Sequence, residues 1–408
     1  MSSNFSISDK IRNLAPSATL AVNQLSNELK SQGIDVVDFS VGEPDVNTAE
    51  EIKSAACKAV EDNFSHYTPV TGYLSLRQAI CDSINDSHRC FTAKQIICSN
   101  GAKQSISNAL TVLLNPGDEA IIPAPYWVSY PEMVKLAGGV PVIVKGLGNH
   151  FKLLPQQLEN VITDKTKVLI LNSPCNPSGA VYSVEELRAL ADVIKRHNIF
   201  VISDEVYLDF LYFNKRDDST LSSLRTNYSI SVFADMIDRV AVVSSVSKNF
   251  AMPGYRLGWL AGPQWLVDAC AKYQGQTTGG PSSLAQKAAE AAYKNPQLQS
   301  RFASICAQRR ELVIKLIADI PLLRLEPDSP QGAFYAFANC EQTFGKIFNG
   351  HTINNSLDLA MYLLQYAHVA CVAGSAFGVE GYMRFSFATS TDNLREGFRR
   401  IKEALREL

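Results

Sequence analysis

The sequence lacks the features that mark membrane, secreted or nucleic-acid-binding proteins. No apolar run approaches the roughly 18 residues that span a bilayer, and the first residues, MSSNFSISDK, have neither the basic nor the apolar region of a signal peptide. Charge of one sign is also missing, since 38 Lys and Arg stand against 40 Asp and Glu. We therefore expect a cytoplasmic protein with small-molecule partners, and no binding to nucleic acid or membrane.

Paired cysteines and glycine-rich nucleotide motifs are missing as well. The nine cysteines are odd in number, and no two have the Cys-x-x-Cys spacing. This pattern argues against a disulfide framework or a structural zinc site and is typical of a reducing compartment, so we expect no metal. Neither G-x-G-x-x-G nor a Walker sequence occurs.

What the sequence does contain is an alternation of short apolar runs and helical patterns between about residues 95 and 262. Several runs, such as TKVLILN and RVAVVSS, are continuously apolar, which is typical of strands covered on both faces. SVEELRALADVIKRHN between them has Ser183 and Glu186 in the spacing of a capping box. The pattern predicts an α/β fold with a mostly parallel central sheet.

After residue 282 the pattern changes to long helical stretches and a few strand-like segments, GAFYAFANC and YMRFSFATS. At 408 residues the chain is long enough for two domains. We expect a large α/β domain over 47–283. A smaller α+β domain would consist of 1–46 together with 284–408.

Polar side chains follow several of the predicted strands, where open parallel sheets place their binding sites. Ser99-Asn100-Gly101-Ala102-Lys103 opens a helix whose free N–H groups suit a phosphate, although a plain turn is the alternative. Asn176 follows another strand and is either a turn residue or a ligand. Asp204 ends a third strand, where an acid needs a partner; a structural salt bridge is the alternative.

Lys248 completes this set, because it follows the apolar run VAVV and three small serines. A phosphate seat, an acid, the phenol of Tyr207 and a lysine together fit one cofactor, pyridoxal phosphate. That cofactor needs a lysine amine for its aldehyde and an acid to keep its ring nitrogen protonated. A buried lysine amine has a lowered pKa and can act as nucleophile and base at neutral pH.

The sequence resembles class I aminotransferases of pyridoxal-phosphate fold type I, and most of all the bacterial aspartate aminotransferases of subgroup Iβ. The resemblance covers nearly the whole chain. It rests on ten segments in the family's order: PSATLAV, VGEPD, HYTPVTGYLSLRQAI, NGAKQ, LNPGDEAIIPAPYWVSYPEM, NSPCNPSGAVY, SDEVY, SVSKNFAMPGYRLGW, GAFY and MRFSFATS.

The resemblance implies pyridoxal 5'-phosphate as cofactor and assigns roles to residues around it. Lys248 would hold the aldehyde and move the proton, Asp204 would pair with the ring nitrogen, and Tyr207 with the phenolic oxygen. The remaining cofactor residues would reach that oxygen, stack on the ring or seat the phosphate: Asn176, Trp127, Gly101, Ala102, Ser245, Ser247 and Arg256. Tyr67 would reach the phosphate of a neighbouring subunit, which implies a homodimer with shared sites.

The resemblance also implies how a dicarboxylic substrate is held. Arg384 would clamp the α-carboxylate bidentately, and Gly42 would bring a backbone N–H beside it, with Trp127 and Asn176 nearby. Lys103 would meet the distal carboxylate, which must not be buried unpaired, with Ser17 and Thr19 as further donors. A surface or phosphate-binding lysine is the alternative for Lys103. The implied reaction moves an amino group between aspartate or glutamate and 2-oxo acids by a ping-pong cycle.

Other functions stay open at this stage. Arg12 would extend the range to prephenate, and a broader or aromatic specificity or a lyase of the same fold are further possibilities. A non-catalytic regulatory module that binds pyridoxal phosphate is a different class, but no basic helix-turn-helix segment precedes residue 45. Ser245-x-x-Lys248 also matches the S-x-x-K of penicillin-binding enzymes, without their S-D-N and K-T-G partners.

Overall fold

The computed structural model describes residues 6–14, 20–86, 88–146, 150–212, 227–295 and 297–408. Helices surround a central sheet in the larger part of the molecule, so the predicted α/β fold is confirmed. Within the described ranges, no helix combines the length and apolar character needed to cross a lipid bilayer.

Seven of the described strands form the central sheet. Their spatial order is Ile96–Ser99, Gly258–Ala261, Val240–Ser245, Phe200–Asp204, Thr166–Asn172, Glu119–Ala124 and Val140–Lys145. Gly258–Ala261 is antiparallel to both of its neighbours, and the other neighbouring pairs are parallel. The prediction of a mostly parallel sheet is therefore confirmed.

The sheet is covered on both faces, which explains its continuously apolar strands. Successive residues of a strand point to opposite faces, and here they join different hydrophobic clusters. Leu169 and Val201 belong to one cluster, whereas their neighbours Ile170 and Ile202 belong to the other. A register shift of one residue would move every side chain of a strand to the other face of the sheet. The register is therefore fixed by how these side chains pack against the helices on both sides.

The helix that begins after Ser183 has the capping signal that its sequence predicts. The Ser183 hydroxyl accepts a hydrogen bond from the N–H of Glu186, and the Glu186 carboxylate accepts one from the N–H of Ser183. The expected capping box is therefore present. The described α-helices are Asp9–Arg12, Leu20–Ser31, Glu50–Glu61, Leu74–Ile84, Ala102–Leu113, Tyr130–Leu136, Pro155–Val161, Val184–Arg196, Val246–Asn249, Gln264–Thr277, Ser283–Tyr293, Gln297–Ala318, Ser356–Tyr366 and Thr391–Arg406. Short 3₁₀ segments cover Ala93–Gln95, Ile230–Val232, Ala234–Arg239, Pro253–Tyr255, Glu341–Thr343 and Gly374–Phe377.

A smaller antiparallel sheet lies in the C-terminal part of the chain. Its strands are, in spatial order, Val372–Ala373, Tyr382–Ser386, Tyr335–Asn339 and Arg324–Leu325. Ile347–Phe348 and His351–Thr352 form a separate antiparallel pair. The strand Val37–Asp38 pairs in parallel with Val369–Ala370, and Val22 and Phe39 join the hydrophobic core of this part. The N-terminal segment therefore packs with the C-terminal part.

The division into domains over 47–283 and over 1–46 with 284–408 stays a prediction. One helix near its boundary has contacts that bear on where it lies. Ser283–Tyr293 packs against Glu50–Glu61 and Leu74–Ile84, and its residues Ala288, Ala289 and Ala292 belong to a core of the central sheet. By its packing, this helix belongs with the central sheet and the helices that cover it.

Candidate active site

A cavity of about 350 Å³ opens beyond the carboxyl ends of the central parallel strands, where it meets the smaller sheet. Of the residues predicted for the site, twelve line it: Gly42, Ala102, Lys103, Trp127, Asn176, Asp204, Tyr207, Ser245, Ser247, Lys248, Arg256 and Arg384. Its other lining residues include Ser40, Tyr130, Asn172, Tyr335 and Phe377. Strand ends that are far apart in sequence are thus brought to one place, as parallel sheets do.

Lys248 lies in the short helix Val246–Asn249 directly after the strand Val240–Ser245. Its Nζ donates a hydrogen bond to the backbone oxygen of Gly42 at 2.5 Å. The pKa of Lys248 is lowered to about 8, chiefly by burial; the charge of Glu43 opposes this change, and the positive charges of Arg384 and Arg256 contribute to it. At neutral pH a useful fraction of this amine is therefore unprotonated, as a nucleophile and base requires.

Asp204 ends the strand Phe200–Asp204 and is 5% exposed. The hydroxyl of Tyr130 donates to its Oδ2 at 2.5 Å, and the N–H of Val206 donates to its Oδ1 at 3.2 Å. Burial raises the pKa of Asp204 to about 6, and these two hydrogen bonds oppose the rise. Within the described ranges no cationic side chain forms an ion pair with Asp204, so the alternative of a structural salt bridge does not apply to it.

A structural salt bridge, the alternative considered for Asp204, is instead formed at this strand end by the next residue, Glu205. Its Oε2 lies 3.2 Å from Nη1 of Arg89, and both side chains are buried. The hydroxyls of Ser203 and Ser229 also donate to Glu205. Because adjacent residues at a strand end point to opposite sides, the paired acid faces away from the cavity and Asp204 faces into it.

Arg384 lies in the strand Tyr382–Ser386 and is 7% exposed. Its Nη1 donates to Oδ1 of Asn176 at 3.0 Å, and its Nη2 donates to the backbone oxygen of Ser40 at 2.6 Å. Its Nε is buried and has no hydrogen-bond partner among the described residues. A buried guanidinium with an unused donor at the wall of a cavity is suited to binding an anion.

Two tyrosine hydroxyls meet beside this arginine. The hydroxyl oxygens of Tyr207 and Tyr335 lie 2.8 Å apart, and both rings are buried. The guanidinium carbon of Arg384 lies 4.6 Å from the centroid of the Tyr335 ring and 5.0 Å from that of Phe377. Aromatic faces on this side stabilise the guanidinium charge without taking up its N–H donors.

The start of the helix Ala102–Leu113 and the segment from Ser245 to Arg256 form another corner of the cavity. Ser245 caps the short lysine helix by accepting from the N–H of Ser247. Gly101 has φ +84°, and a Cβ atom there would lie 2.3 Å from Nη2 of Arg256. A Cβ atom on Gly258 would lie 2.3 Å from the backbone nitrogen of Ala102. Hydroxyls, free helix N–H groups and a guanidinium make this corner suitable for a phosphate.

Lys103 and Trp127 stand together at the cavity wall. Lys103 Nζ lies 4.9 Å from the centroid of the Trp127 ring. Burial lowers the pKa of Lys103, and the charge of Arg256 lowers it further. The Trp127 ring in turn meets Tyr130 edge to face, with centroids 5.4 Å apart. No ion pair of Lys103 is formed within the described ranges, so its charge is available to a ligand.

Three described residues singled out in the sequence do not line the cavity, and two others lie outside the described residues. Tyr67 is fully exposed, and Arg12 is exposed and paired with Asp9 at 2.8 Å. Ser17 and Thr19 lie outside the described residues. Gly101 does not line the cavity itself but contacts Arg256, which does.

Sequence reasoning missed the residues that act on the predicted ones. Tyr130 stands three positions after Trp127, and Tyr335 is the last residue of GAFY; both lie in segments that carry the family resemblance, which assigns no role to these phenols. Ser40 and Asn172 contribute a backbone oxygen and a bridging amide, the latter joining Asn176 to Asp204. Backbone oxygens carry no sequence signal, whereas a buried tyrosine near a buried acid is a pattern that could have been searched for.

The charges around the cavity are unbalanced. Lys103, Lys248, Arg256 and Arg384 are cationic and Asp204 is acidic. Since buried charges need partners, a ligand with several negative groups and one positive group opposite Asp204 fits this lining.

Comparison with known proteins agrees with this chemistry. The family model for class I and II aminotransferases matches residues 34–401. The aspartate/prephenate aminotransferase of Nitrosomonas europaea is 40% identical over 408 residues, covering 98% of this chain and 99% of that protein. The aspartate aminotransferase of Geobacillus stearothermophilus is 38% identical over 398 residues, covering 97% and 98%.

Solved structures of aspartate aminotransferases are similar to this chain over nearly its whole length. The aspartate aminotransferase from Rhizobium meliloti has a TM-score of 0.91 and 35% identity, covering 99% of this chain and 100% of that chain. The Thermus thermophilus aspartate aminotransferase with maleate has a TM-score of 0.87 and 33% identity, covering 98% and 100%. These structures also confirm the predicted fold type, and the S-x-x-K hydrolase interpretation of Ser245 and Lys248 is wrong. By sequence, fold and site chemistry, this chain belongs to the family of class I and II aminotransferases.

Proposed function

We propose that this chain moves an amino group between aspartate or glutamate and 2-oxo acids, with pyridoxal 5'-phosphate as its cofactor. The observation that carries the proposal is the buried carboxylate of Asp204, whose hydrogen-bond partners among the described residues are neutral and which faces the same cavity as the low-pKa amine of Lys248. The names of relatives that act on aspartate and prephenate support the substrate class.

The lining fits pyridoxal phosphate group by group. A protonated ring nitrogen would give Asp204 the positive partner that its burial calls for. The corner formed by Gly101, Ala102, Ser245, Ser247 and Arg256 offers donors and a positive charge to the phosphate. Asn176 and Tyr207 would donate to the phenolic oxygen, and the Trp127 ring would cover the aromatic face.

Lys248 is the proposed attachment residue and the proposed base. Bound pyridoxal phosphate supplies a protonated ring that takes up electron density from the α-carbon of the amino acid. Lys248 would first hold the cofactor and then, once displaced, move the proton at the substrate α-carbon. Its lowered pKa supports both tasks, since each needs the neutral amine. Asp204 would keep the ring nitrogen protonated throughout.

The substrate carboxylates have two separate candidate partners. Arg384 presents a buried guanidinium with an unused Nε, which we assign to the α-carboxylate, and Gly42 lies beside it in the cavity wall. Lys103, without an acidic partner in the described ranges, is assigned to the distal carboxylate. Two cations at different places select a dicarboxylic acid over a monocarboxylic one, because a second buried carboxylate must be paired.

A homodimer in the cytoplasm is part of the proposal. Tyr67 has a fully exposed ring, which supports a role in contacting the phosphate of a neighbouring subunit instead of its own.

The alternatives differ in measurable ways. A range that includes prephenate is supported by the printed names of several relatives. A lyase of the same fold would release ammonia, and a regulatory module would bind the cofactor without turning over.

The test is steady-state kinetics with aspartate and 2-oxoglutarate, together with each half-reaction alone. Transfer should give parallel double-reciprocal lines, and aspartate alone should change the visible absorbance of the bound cofactor. Lys248→Ala is the matched inactive control. Intersecting lines, ammonia in place of glutamate, or purified protein that takes up no pyridoxal phosphate would each overturn the proposal.

A further inference from the structure

Tyr335 occupies a position between two groups of the proposed site that do not touch each other in the described contacts. Its hydroxyl oxygen lies 2.8 Å from that of Tyr207, and the guanidinium of Arg384 stands over its ring at 4.6 Å. The Tyr335 side chain is 1% exposed. It lies in the strand Tyr335–Asn339, which pairs with the strand of Arg384.

The surroundings hold Tyr335 in this position. A Cβ atom on Gly42 would lie 2.3 Å from the Tyr335 hydroxyl oxygen, so the absence of a side chain at Gly42 makes room for the hydroxyl. The rings of Tyr207 and Tyr335 meet edge to face, with centroids 5.6 Å apart, and Phe334 packs on both. The hydroxyl therefore has little freedom to turn away from Tyr207.

We propose that Tyr335 is a positioning residue. It couples the binding of a carboxylate at Arg384, which neutralises the guanidinium charge, to the strength of the hydrogen bond that Tyr207 donates. The contact between the two hydroxyls allows either one to donate. In the proposed arrangement Tyr335 is the donor to the oxygen of Tyr207, which leaves the Tyr207 proton free to be donated into the cavity. Each donor in such a chain polarises the next. The inference rests on the proposed function, because the acceptor in the cavity is the phenolic oxygen of pyridoxal phosphate.

The charges around Tyr207 and Tyr335 decide whether their hydroxyls become stronger or weaker hydrogen-bond donors. Burial raises the pKa of Tyr335, and the Arg384 guanidinium opposes this. Burial also raises the pKa of Tyr207. The other titratable groups that face the pair are Asp204, the Cys306 thiol of the helix Gln297–Ala318, and Lys248, which lines the same cavity.

A carboxylate bound to Arg384 would neutralise the cation that polarises Tyr335. The hydroxyl chain would then donate less strongly, and the phenolic oxygen in the cavity would hold its proton more tightly. Binding of a carboxylate at Arg384 thus changes the proton affinity of the phenolic oxygen at the other end of the site. Asn176, which accepts from Arg384 at 3.0 Å, offers a parallel route, so removal of the Tyr335 hydroxyl should reduce the coupling and not abolish it.

The test compares Tyr335→Phe with Tyr362→Phe in the cofactor-loaded protein. Tyr335→Phe keeps the ring beneath Arg384 and removes only the hydroxyl. Tyr362 is also buried, in the helix Ser356–Tyr366, and donates one hydrogen bond of 2.7 Å to the backbone oxygen of Ala404. The readouts are the midpoint of the pH titration of visible absorbance, with and without a non-reacting dicarboxylate such as maleate, and the Kd of maleate.

The expected result follows from the loss of one hydrogen bond. Tyr335→Phe should raise the titration midpoint of the maleate-free protein by about 0.5 to 1 pH unit. It should also shrink the further rise that maleate causes, while the Kd of maleate measured at a pH below both midpoints changes less than about threefold. Tyr362→Phe should leave both midpoints where they are in the unaltered protein.

A second variant separates coupling from packing. Because Tyr335 acts through Tyr207, the double variant Tyr207→Phe/Tyr335→Phe should titrate like Tyr207→Phe alone. Additive midpoint shifts, or a Tyr335→Phe titration that coincides with that of Tyr362→Phe, would overturn the inference while the proposed function stands. Protein without a titrating visible band would instead contradict the proposed function itself.

Discussion

The hydroxyl of Tyr130 donates a hydrogen bond of 2.5 Å to Oδ2 of Asp204, and both side chains are buried beneath the cavity. Burial raises the pKa of Asp204 to about 6, and the Tyr130 hydrogen bond limits this rise. Tyr130 therefore helps to keep the carboxylate ionised at neutral pH. It also fixes Oδ2, so that the acid presents a defined edge to a ring nitrogen.

Replacing Asp204 should remove the electron-sink function, because the ring nitrogen would no longer stay protonated. Asp204→Asn should lower the transamination rate by roughly 10²–10⁴, the range of single catalytic groups. Tyr130→Phe should lower it by about tenfold through the loss of one hydrogen bond to a charged group. Tyr362→Phe is the control for losing a buried phenol. Asp204→Asn protein that works at a near-normal rate would refute the role.

The raised pKa of Asp204 also predicts a pH dependence of stability. Between its ordinary pKa of 3.8 and the raised pKa of about 6, Asp204 of the folded cofactor-free protein holds a proton that the unfolded chain has released. The contribution of Asp204 to the free energy of unfolding therefore falls as pH rises through this window, by up to about 3 kcal/mol, and is constant above it. Chemical denaturation from pH 4 to 7 should show Asp204→Asn gaining stability relative to the unaltered protein, whereas a constant difference would contradict the raised pKa.

Lys248 should be the residue that carries the cofactor. Borohydride reduction of cofactor-loaded protein, followed by peptide mapping, should label Lys248 and leave Lys103 unlabelled. In cofactor-free protein, the rate at which an amine reagent modifies Lys248 should rise with pH around a midpoint near 8, because burial lowers its pKa to about 8 and the neutral amine reacts. A label on another lysine, or a midpoint near that of free lysine, would show that the assignment is wrong.

Arg384→Lys should mainly weaken binding of the amino acid. A lysine has one ammonium group in place of the planar fork, and it cannot keep both the Asn176 contact and a two-pronged contact to a carboxylate. We expect KM for every amino acid to rise by at least about tenfold, the loss of one charged hydrogen bond, with a smaller change in kcat. Arg400→Lys, at a surface arginine paired with Asp35, is the matched control. An unchanged KM would place the α-carboxylate elsewhere.

Lys103→Ser should change the choice of substrate. If Lys103 pairs with the distal carboxylate, kcat/KM for aspartate should fall by roughly 10–100-fold, and that for alanine or phenylalanine should change little. Lys135→Ser, at a surface lysine paired with Glu132 at 2.8 Å, provides the control. An equal loss for all three amino acids would assign Lys103 to the phosphate or to the fold, and the preference for aspartate would lose its main physical support.

Much of the architecture could be predicted from the sequence. Continuous apolar runs predicted strands covered on both faces, and Ser183 with Glu186 predicted the start of a helix. The strand-end rule brought Asn176, Asp204, Ser245 and Lys248 to one edge of the sheet. These features depend on local patterns and on the general geometry of parallel sheets.

The remaining features depend on long-range packing, which the sequence does not reveal directly. The pattern could not tell which of Asp204 and Glu205 would find a cation, because Arg89 comes from a distant part of the chain. The contacts of Tyr130 and Tyr335 are likewise set by how the two sheets meet. The backbone oxygens of Ser40 and Gly42 have no side-chain signature at all.

The closeness of Gly258 to the amide of Ala102, and of Gly101 to Arg256, has a consequence for inherited or engineered variation. A side chain at either glycine would displace the groups proposed to seat the phosphate while leaving every charge and every hydrogen-bond donor of the site in the sequence. Such a variant keeps its catalytic groups but binds the cofactor more weakly. Added cofactor should therefore relieve the defect in an activity assay, because a higher cofactor concentration restores occupancy by mass action.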